Sequence, residues 1–420
     1  MPDAAPHGAP RARILLIGDE LLLGRTADAN GAWLARRLSD AGFLVRGLHI
    51  VGDEEREIVA ALRAARRDAE LVVCSGGLGP TADDRTRQAL ARLLRAPLIE
   101  DGASWRRIQR WHARRRPGTE VPASNRQQAL LPRGAEALLN DRGTAPGILA
   151  RGGGAWIACL PGVPHELQAM SERLLRRLRR LLPGWRRPAC SELWVAGISE
   201  SALQDRLGEL LAGDEPRVGI TVSEQAHITL RLVGAPAAVR ARRRALRARL
   251  GPWLLPAPSL AASLVQALRA AGATVACAES CTAGHAAASL LAVPGASAVL
   301  RESLIAYHEE AKIARLGVAR ALIREQGVVS EPVVRAMAEG LRRAVGCDLA
   351  LATTGIAGPT GGTPQLPVGT VWVAAASARG TVARRLLIAG ERQRVQRRAA
   401  AEALLLAWQH WRSGGSPPPA

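Results

Sequence analysis

The chain has 420 residues, 57 basic against 37 acidic side chains, a formal net charge of +20, and 48% hydrophobic but only 3% aromatic residues. At roughly 100–200 residues per domain this length holds two or three domains, each able to bury a core. No apolar run approaches the roughly 20 residues that a membrane-spanning helix needs, and 14–17 is too short for a signal-peptide core, so the expected location is cytoplasmic.

In chain order, 13–17 reads as a strand, and Asp28 offers a cap for a helix to about 41 with Gly42 behind it. A strand over 44–51 follows, then a helix capped by Asp53 to about 67, then a strand over 71–74 ending in a glycine-rich turn. This βαβαβ rhythm predicts a mostly parallel sheet with helices on both faces. From about 170 to 258 the pattern changes to arginine-rich helix, short strands around Leu193 and over 227–232, and a second arginine-rich helix. After Pro256-Ala257-Pro258 the α/β rhythm resumes. A helix over 259–271, strands over 274–278, near 307, 349–353, 368–375 and 382–388, and a closing helix over 392–411 are expected, with a disordered tail over 413–420. The fold class is therefore α/β: two three-layer α/β domains with mostly parallel sheets, over 11–170 and 257–412, joined by a small α+β connector over 171–256.

Six cysteines (Cys74, Cys159, Cys190, Cys277, Cys281 and Cys347) include no CxxC pair and read as reduced core residues, not disulfides or zinc ligands. The positive charge invites a nucleic-acid reading. Its clusters, at 106–116, 173–187 and 240–249, interleave with Leu and Ala at helical spacing and read as solvated helix faces, so nucleic acid is not expected as a partner.

The segment from Ser75 through Gly76, Gly77 and Gly79 to Thr81, Asp83 and Asp84 ends a buried strand and precedes a helix. Glycines there let backbone N–H groups approach a phosphate, and a carboxylate pair can hold a divalent cation against it. Asp19-Glu20 and Asp53, both at strand ends, would converge on the same crevice in a doubly wound sheet. A tight turn with an Asp helix cap is the plainer alternative. Two further unusual turns contain Asn140 to Gly147 and Leu160 to Leu167.

Lys312 is the only lysine and Tyr307 the only tyrosine, five positions apart, while the other 56 basic residues are arginine. A lysine amine can be driven neutral and act as a base, which a guanidinium cannot do. Upstream, Glu279-Ser280-Cys281-Thr282-Ala283-Gly284 follows a strand and opens a helix, and downstream Thr354-Gly355-Ile356-Ala357-Gly358 supplies a second strand-end loop. Serine, lysine and tyrosine with a donor loop compose an amidase that needs neither histidine nor metal. Ser280 is also a plausible helix cap, Cys281 is the rival nucleophile, Glu279 is a cap or a partner for Lys312, and His285 and His308 are alternative bases.

These motifs, in this order, resemble the CinA (competence-damage-inducible) family. The first half, about 11–180, is similar to its molybdopterin-binding-like domain, and 259–411 to its nicotinamide-nucleotide amidohydrolase domain. The resemblance implies a divalent-metal-dependent ADP-ribose pyrophosphatase (Mg, Mn or Co) in the first half, with Asp19, Asp53, Asp83 and Asp84 at the metal and Gly76, Gly77, Gly79, Thr81, Asn140 and Gly143 at the substrate. In the second half it implies cofactor-free hydrolysis of nicotinamide mononucleotide to nicotinate mononucleotide and ammonia. Ser280, Tyr307 and Lys312 fall on catalytic positions there, and Glu279, Thr282, Gly284, Thr354, Gly355 and Gly358 near substrate. It also implies a homodimer. Competing expectations are a chain with only the pyrophosphatase active, or a non-catalytic competence-related DNA- or pterin-binding protein. The chain departs from family wording at Ala283, Glu302-Ser303 and His308-Glu309.

Overall fold

A computed structural model describes residues 9–182, 185 and 188–413; the expected disorder of 413–420 lies, apart from Ser413, outside the described residues. The chain forms two compact units, 1–188 and 189–420.

The first unit begins β1 (Arg11–Ile17), α1 (Asp19–Leu22), α2 (Asn30–Ala41), β2 (Leu44–Val51), α3 (Glu55–Ala65), β3 (Leu71–Ser75) and α4 (Thr86–Leu94). There follow β4 (Leu98–Glu100), α5 (Gly102–Arg115), β5 (Leu130–Pro132), β6 (Glu136–Leu138), β7 (Gly147–Gly152), β8 (Ala155–Leu160) and α6 (Pro164–Leu181). The main sheet runs β2-β1-β3-β8-β7-β6, parallel from β2 to β8 and antiparallel beyond. Because side chains alternate along a strand, β1 sends Ile14 and Leu16 into one core with Leu34, Leu38 and Leu174. Its Leu15 and Ile17 enter the other with Ile58, Leu62 and Leu90.

Two local expectations change. Asp28 stands one residue before the N-cap Ala29 and holds the start of α2, accepting from the N–H of Asn30 and Gly31 at 2.9 Å each, but Asp53 does not cap α3. That helix starts after Glu54, without a side-chain cap, while Asp53 turns to α1. Helix α6, whose arginine-rich end was assigned to the connector, buries Leu167, Met170, Leu174 and Leu178 in the first core. Its packing therefore ties it to the first unit; its arginines are the solvent side of an amphipathic helix.

The second unit starts with the connector: β9 (Ala189–Ala196), α7 (Glu200–Leu207), β10 (Arg217–Val222), β11 (His227–Gly234), α8 (Pro236–Leu250) and β12 (Leu254–Leu255). Its sheet, β10-β11-β9-β12, is antiparallel. It continues with α9 (Leu260–Ala270), β13 (Val275–Glu279), α10 (His285–Leu291), β14 (Leu300–Ile305), α11 (Glu309–Leu316), α12 (Arg320–Gln326) and α13 (Glu331–Val345). Last come β15 (Leu349–Gly355), β16 (Thr370–Ser377), β17 (Gly380–Leu387) and α14 (Arg392–Arg412). In the sheet β14-β13-β15-β16-β17, β13 pairs in parallel with both β14 and β15, and the last two strands run antiparallel. Helices α9, α10 and α14 cover one face, α11 and α13 the other. Connector residues Ala196 and Ala226 are buried in the first of these cores, so connector and sheet domain pack as one body.

Among the described residues no helix is long and apolar enough to cross a membrane. No disulfide joins the cysteines among the described residues; five are buried, and Cys190, expected in the core, is exposed on β9.

Candidate functional site

In an open α/β sheet the strand order reverses beside the first strand, and the helices that diverge there leave a crevice outside the carboxyl ends of the strands. The first unit has such a crevice, of about 310 Å³, reached by Ile17 and Gly18 at the end of β1, Asp53 after β2, Ser75 and Gly76 at the end of β3, and Gly162 after β8. Gly76 has φ 110°, and a β-carbon there would collide with the Ile17 carbonyl, so the loop can hug β1 only as glycine. Gly77 is likewise closed against Thr86.

The four aspartates expected at a metal hold different positions. Asp19 and Asp53 grip each other's backbone: the Asp19 N–H donates to Asp53 Oδ2 at 3.0 Å and the Asp53 N–H to Asp19 Oδ1 at 3.2 Å. Asp84 is occupied with its own loop, accepting from the N–H of Gly79 at 2.6 Å and of Thr81 at 2.9 Å and from Thr81 Oγ1 at 2.5 Å. Asp83 is exposed at the crevice. Among the described residues no three His, Cys, Asp or Glu side chains form a group that could hold a metal ion. Burial first, then the carboxylates of Asp19, Glu20 and Asp83, push the Asp53 carboxyl upward, against the lowering bond from Asp19 N–H. This local excess of negative oxygen suits a hard cation bound through one or two carboxylates and substrate oxygens better than an all-protein cage.

Asn140 and Gly143 belong to a separate knot. Asn140 is 1% exposed and donates to the Ala145 carbonyl at 2.9 Å and to Glu166 Oε2 at 2.6 Å, leaving its amide no freedom to meet substrate; a β-carbon at Gly143 would strike Glu166. Two other residues matter instead. Asn30 bonds Ser75 Oγ at 3.0 Å and the Gly162 carbonyl at 2.6 Å, bridging β3 and β8 ends at the crevice. Arg87, 1% exposed, holds the Leu78 and Gly79 carbonyls from beneath. Burial pulls its guanidinium down to about 10 against the opposing charge of Asp84. Asn30 was findable as the residue two beyond a capping Asp; nothing local in the sequence separates Arg87 from the other arginines.

The second unit builds its cluster at the equivalent place. Ser280 follows β13, Ala306 and Tyr307 follow β14, and Thr353 to Gly355 end β15. Lys312 projects from α11 and is 1% exposed. Its Nζ lies 2.8 Å from the Ala306 carbonyl, 3.0 Å from the Tyr307 carbonyl and 3.1 Å from Ser280 Oγ. Burial lowers the lysine's affinity for its proton, opposed by Cys281 and Glu309. Ser280, 6% exposed, is steadied by its N–H bond to Thr353 Oγ1 at 3.3 Å. Cys281 is poorly suited as a nucleophile: burial pushes its thiol up to about 12, so almost no thiolate exists at neutral pH.

Several expected roles change here. Ser280 does not cap the next helix, because 280–284 turn before α10 starts, with Gly284 at φ 91°. The cap is the fully buried Glu279, whose carboxylate accepts from the N–H of Gly284 at 3.0 Å, Ala286 at 3.1 Å and Ala287 at 2.9 Å. It is therefore neither a substrate contact nor the partner of Lys312. Thr282 is buried against Thr353 Oγ1 at 2.8 Å, and Thr354 donates to the Val328 carbonyl at 2.9 Å; both order the loops from within. Gly355 sits where a β-carbon would lie 2.8 Å from the Thr370 carbonyl. The Tyr307 side chain is 63% exposed, its hydroxyl 3.4 Å from Arg392, which also donates to the Gly358 carbonyl at 2.8 Å. His308 caps α11 through Nδ1, and His285 lines a cavity shared with the connector.

Fold and sites together define a two-unit α/β protein, with a carboxylate-lined crevice in one unit and a buried Ser/Lys pair in the other. Residues 257–410 match the family described as "CinA C-terminal domain", 13–180 "Probable molybdopterin binding domain" and 191–252 "Damage-inducible protein CinA KH domain". The chain belongs to the CinA family. It is 40% identical over 404 residues to a CinA-like protein of Gemmatimonas aurantiaca, covering 93% of this chain and 94% of the relative. It is 41% identical over 402 residues to a CinA-like protein of Anaeromyxobacter sp., covering 94% and 97%. Among solved structures, CinA from Thermoplasma acidophilum shares 32% identity over 41% of this chain and 98% of its own, with a TM-score of 0.36.

Proposed function

We propose that the second unit hydrolyses the carboxamide of nicotinamide mononucleotide, releasing nicotinate mononucleotide and ammonia. The observation that carries this reading is the arrangement around Lys312. Nζ donates to the Ala306 and Tyr307 carbonyls and to Ser280 Oγ; once it loses a proton, the two carbonyls can keep the two remaining N–H bonds and the lone pair is left for Ser280 Oγ. Ser280 Oγ gives its proton to Lys312 as it bonds to the carboxamide carbon. Collapse of the tetrahedral adduct expels the amide nitrogen, which takes that proton and departs as ammonia; water then cleaves the ester and restores the serine. Arg392, beside Tyr307, offers a cation for the substrate phosphate.

The test is ammonia release from nicotinamide mononucleotide by the full chain and by Ser280→Ala, Cys281→Ala and Lys312→Arg. Activity retained only in Cys281→Ala among the variants supports the Ser/Lys assignment; activity retained in Lys312→Arg sinks it.

The crevice of the first unit supports a second activity, hydrolysis of the ADP-ribose pyrophosphate. Asp53 and Asp83 would hold a divalent cation, which when bound supplies Lewis acidity, while the loop containing Gly76 and Gly77 receives a phosphate and Arg87 keeps that loop in shape. A homodimer in the cytoplasm completes this reading.

A further inference from the structure

We propose that a cavity between the connector and the sheet domain of the second unit is a distinct ligand site for an organic phosphate of mononucleotide size. The cavity measures about 700 Å³, within the range of roughly 300–1,000 Å³ typical of small-molecule sites and far too roomy for an inorganic ion. One wall is the turn joining β10 to β11, another the start of α9 with the length of α10 from His285 to Val293 just beyond its end, and a third α14.

Its chemistry favours an anion with an apolar body. His227 from the connector, His285 from α10 and Arg397 from α14 all line it. Helix α9 presents its N-terminal end there through Leu260 and Ala261; Ser259 Oγ already serves the Ala262 N–H at 3.1 Å. A helix N-terminus favours negative charge, and here it converges with the Arg397 guanidinium and two imidazole rings. The one acid in the lining is Glu224, whose side chain is 77% exposed and 4.0 Å from Arg397. That pair is solvated and weak, so a phosphate can replace the carboxylate at the guanidinium, which otherwise holds only Gln393 Oε1 at 3.0 Å. Burial lowers the His227 imidazole, which makes its neutral ring a hydrogen-bonding partner as well. Leu260, Val293 and Leu404 supply an apolar wall for a ring.

The site adjoins the proposed amidase through α10. His285 and Ser289 face the cavity, while the N–H groups of Ala286 and Ala287 hold Glu279 next to Ser280.

Hydrogen exchange of the full chain, with AMP as the probe, tests the proposal. Protection is expected at 223–227 and 285–293, with far less from inorganic phosphate. The connector turn at 223–227 contributes nothing to the Ser280 cluster, so protection there is independent of the amidase reading. Arg397→Glu should raise the AMP concentration for half-maximal protection by about tenfold or more, and His227→Gln should act in the same direction. Absence of protection at 223–227, protection confined to 16–30 and 75–84, or wild-type protection in Arg397→Glu would overturn it.

Discussion

The crevice beyond β1, β3 and β8 and the cluster beyond β13, β14 and β15 occupy the same topological position, yet they differ in how far the protein itself completes them. In the first, the carboxylates stay partly solvated, and burial, followed by repulsion from Asp19, Glu20 and Asp83, pushes Asp53 upward. In the second, serine and lysine are 6% and 1% exposed, and two carbonyls already fix the amine. The difference teaches that a sheet edge provides a place, while the burial of the groups around it sets which chemistry they suit: partly solvated carboxylates suit a cation, and a desolvated amine suits a base.

Removing either member of the buried pair should have the largest effect. Lys312→Met should lower ammonia release by roughly 10²–10⁴-fold, the usual contribution of a general base, measured as kcat with circular dichroism confirming the fold. Metal removal should separate the two sites: a chelator should abolish phosphate-ester release from ADP-ribose while ammonia release is unchanged. Equal sensitivity of both would break the contrast.

A pH profile sharpens it. Only neutral Lys312 accepts the serine proton, and burial lowers its pKa from 10.5; amidase kcat/KM should therefore rise with pH along a limb whose midpoint lies below 10.5 and level off above it. A midpoint at or above that value would contradict a desolvated base.

Arg392→Ala should raise KM by about tenfold, the loss expected of one exposed charge-assisted contact, with kcat little changed. The smallest effect is expected at Ala283, held at φ 51°. Ala283→Gly relieves about 1–2 kcal/mol of left-handed strain, offset by glycine's freedom in the unfolded chain, about 0.4–1 kcal/mol. The net should be a gain between about 0 and about 1.6 kcal/mol in urea unfolding.

Much of the architecture was legible because strand and helix periodicities are local. The strands 13–17, 44–51 and 71–74 appear nearly where expected, as does the closing helix, while Pro256–Pro258 falls between β12 and α9 inside one compact unit. Strands β10 and β12 were not anticipated: β10 alternates intermediate and exposed positions over much of its length, and β12 has two residues that depend on β9 for their pairing. The boundary near 170 was misplaced because an arginine-rich helix looks alike whichever core its leucines enter.

At the sites, residue rarity marked Lys312, and strand-end glycines marked both loops. Composition and local pattern by themselves determined the α/β class, the glycine turns and one lysine out of place among arginines, since each depends on covalent chemistry or on neighbours within a few residues. Only the tertiary structure decided that Glu279 serves α10 while Lys312 faces Ser280, that Asp53 turns to Asp19, and that Asn140 is locked by Glu166. Those choices pit hydrogen bonds from distant segments against one another, and burial settles which partner each polar group must take.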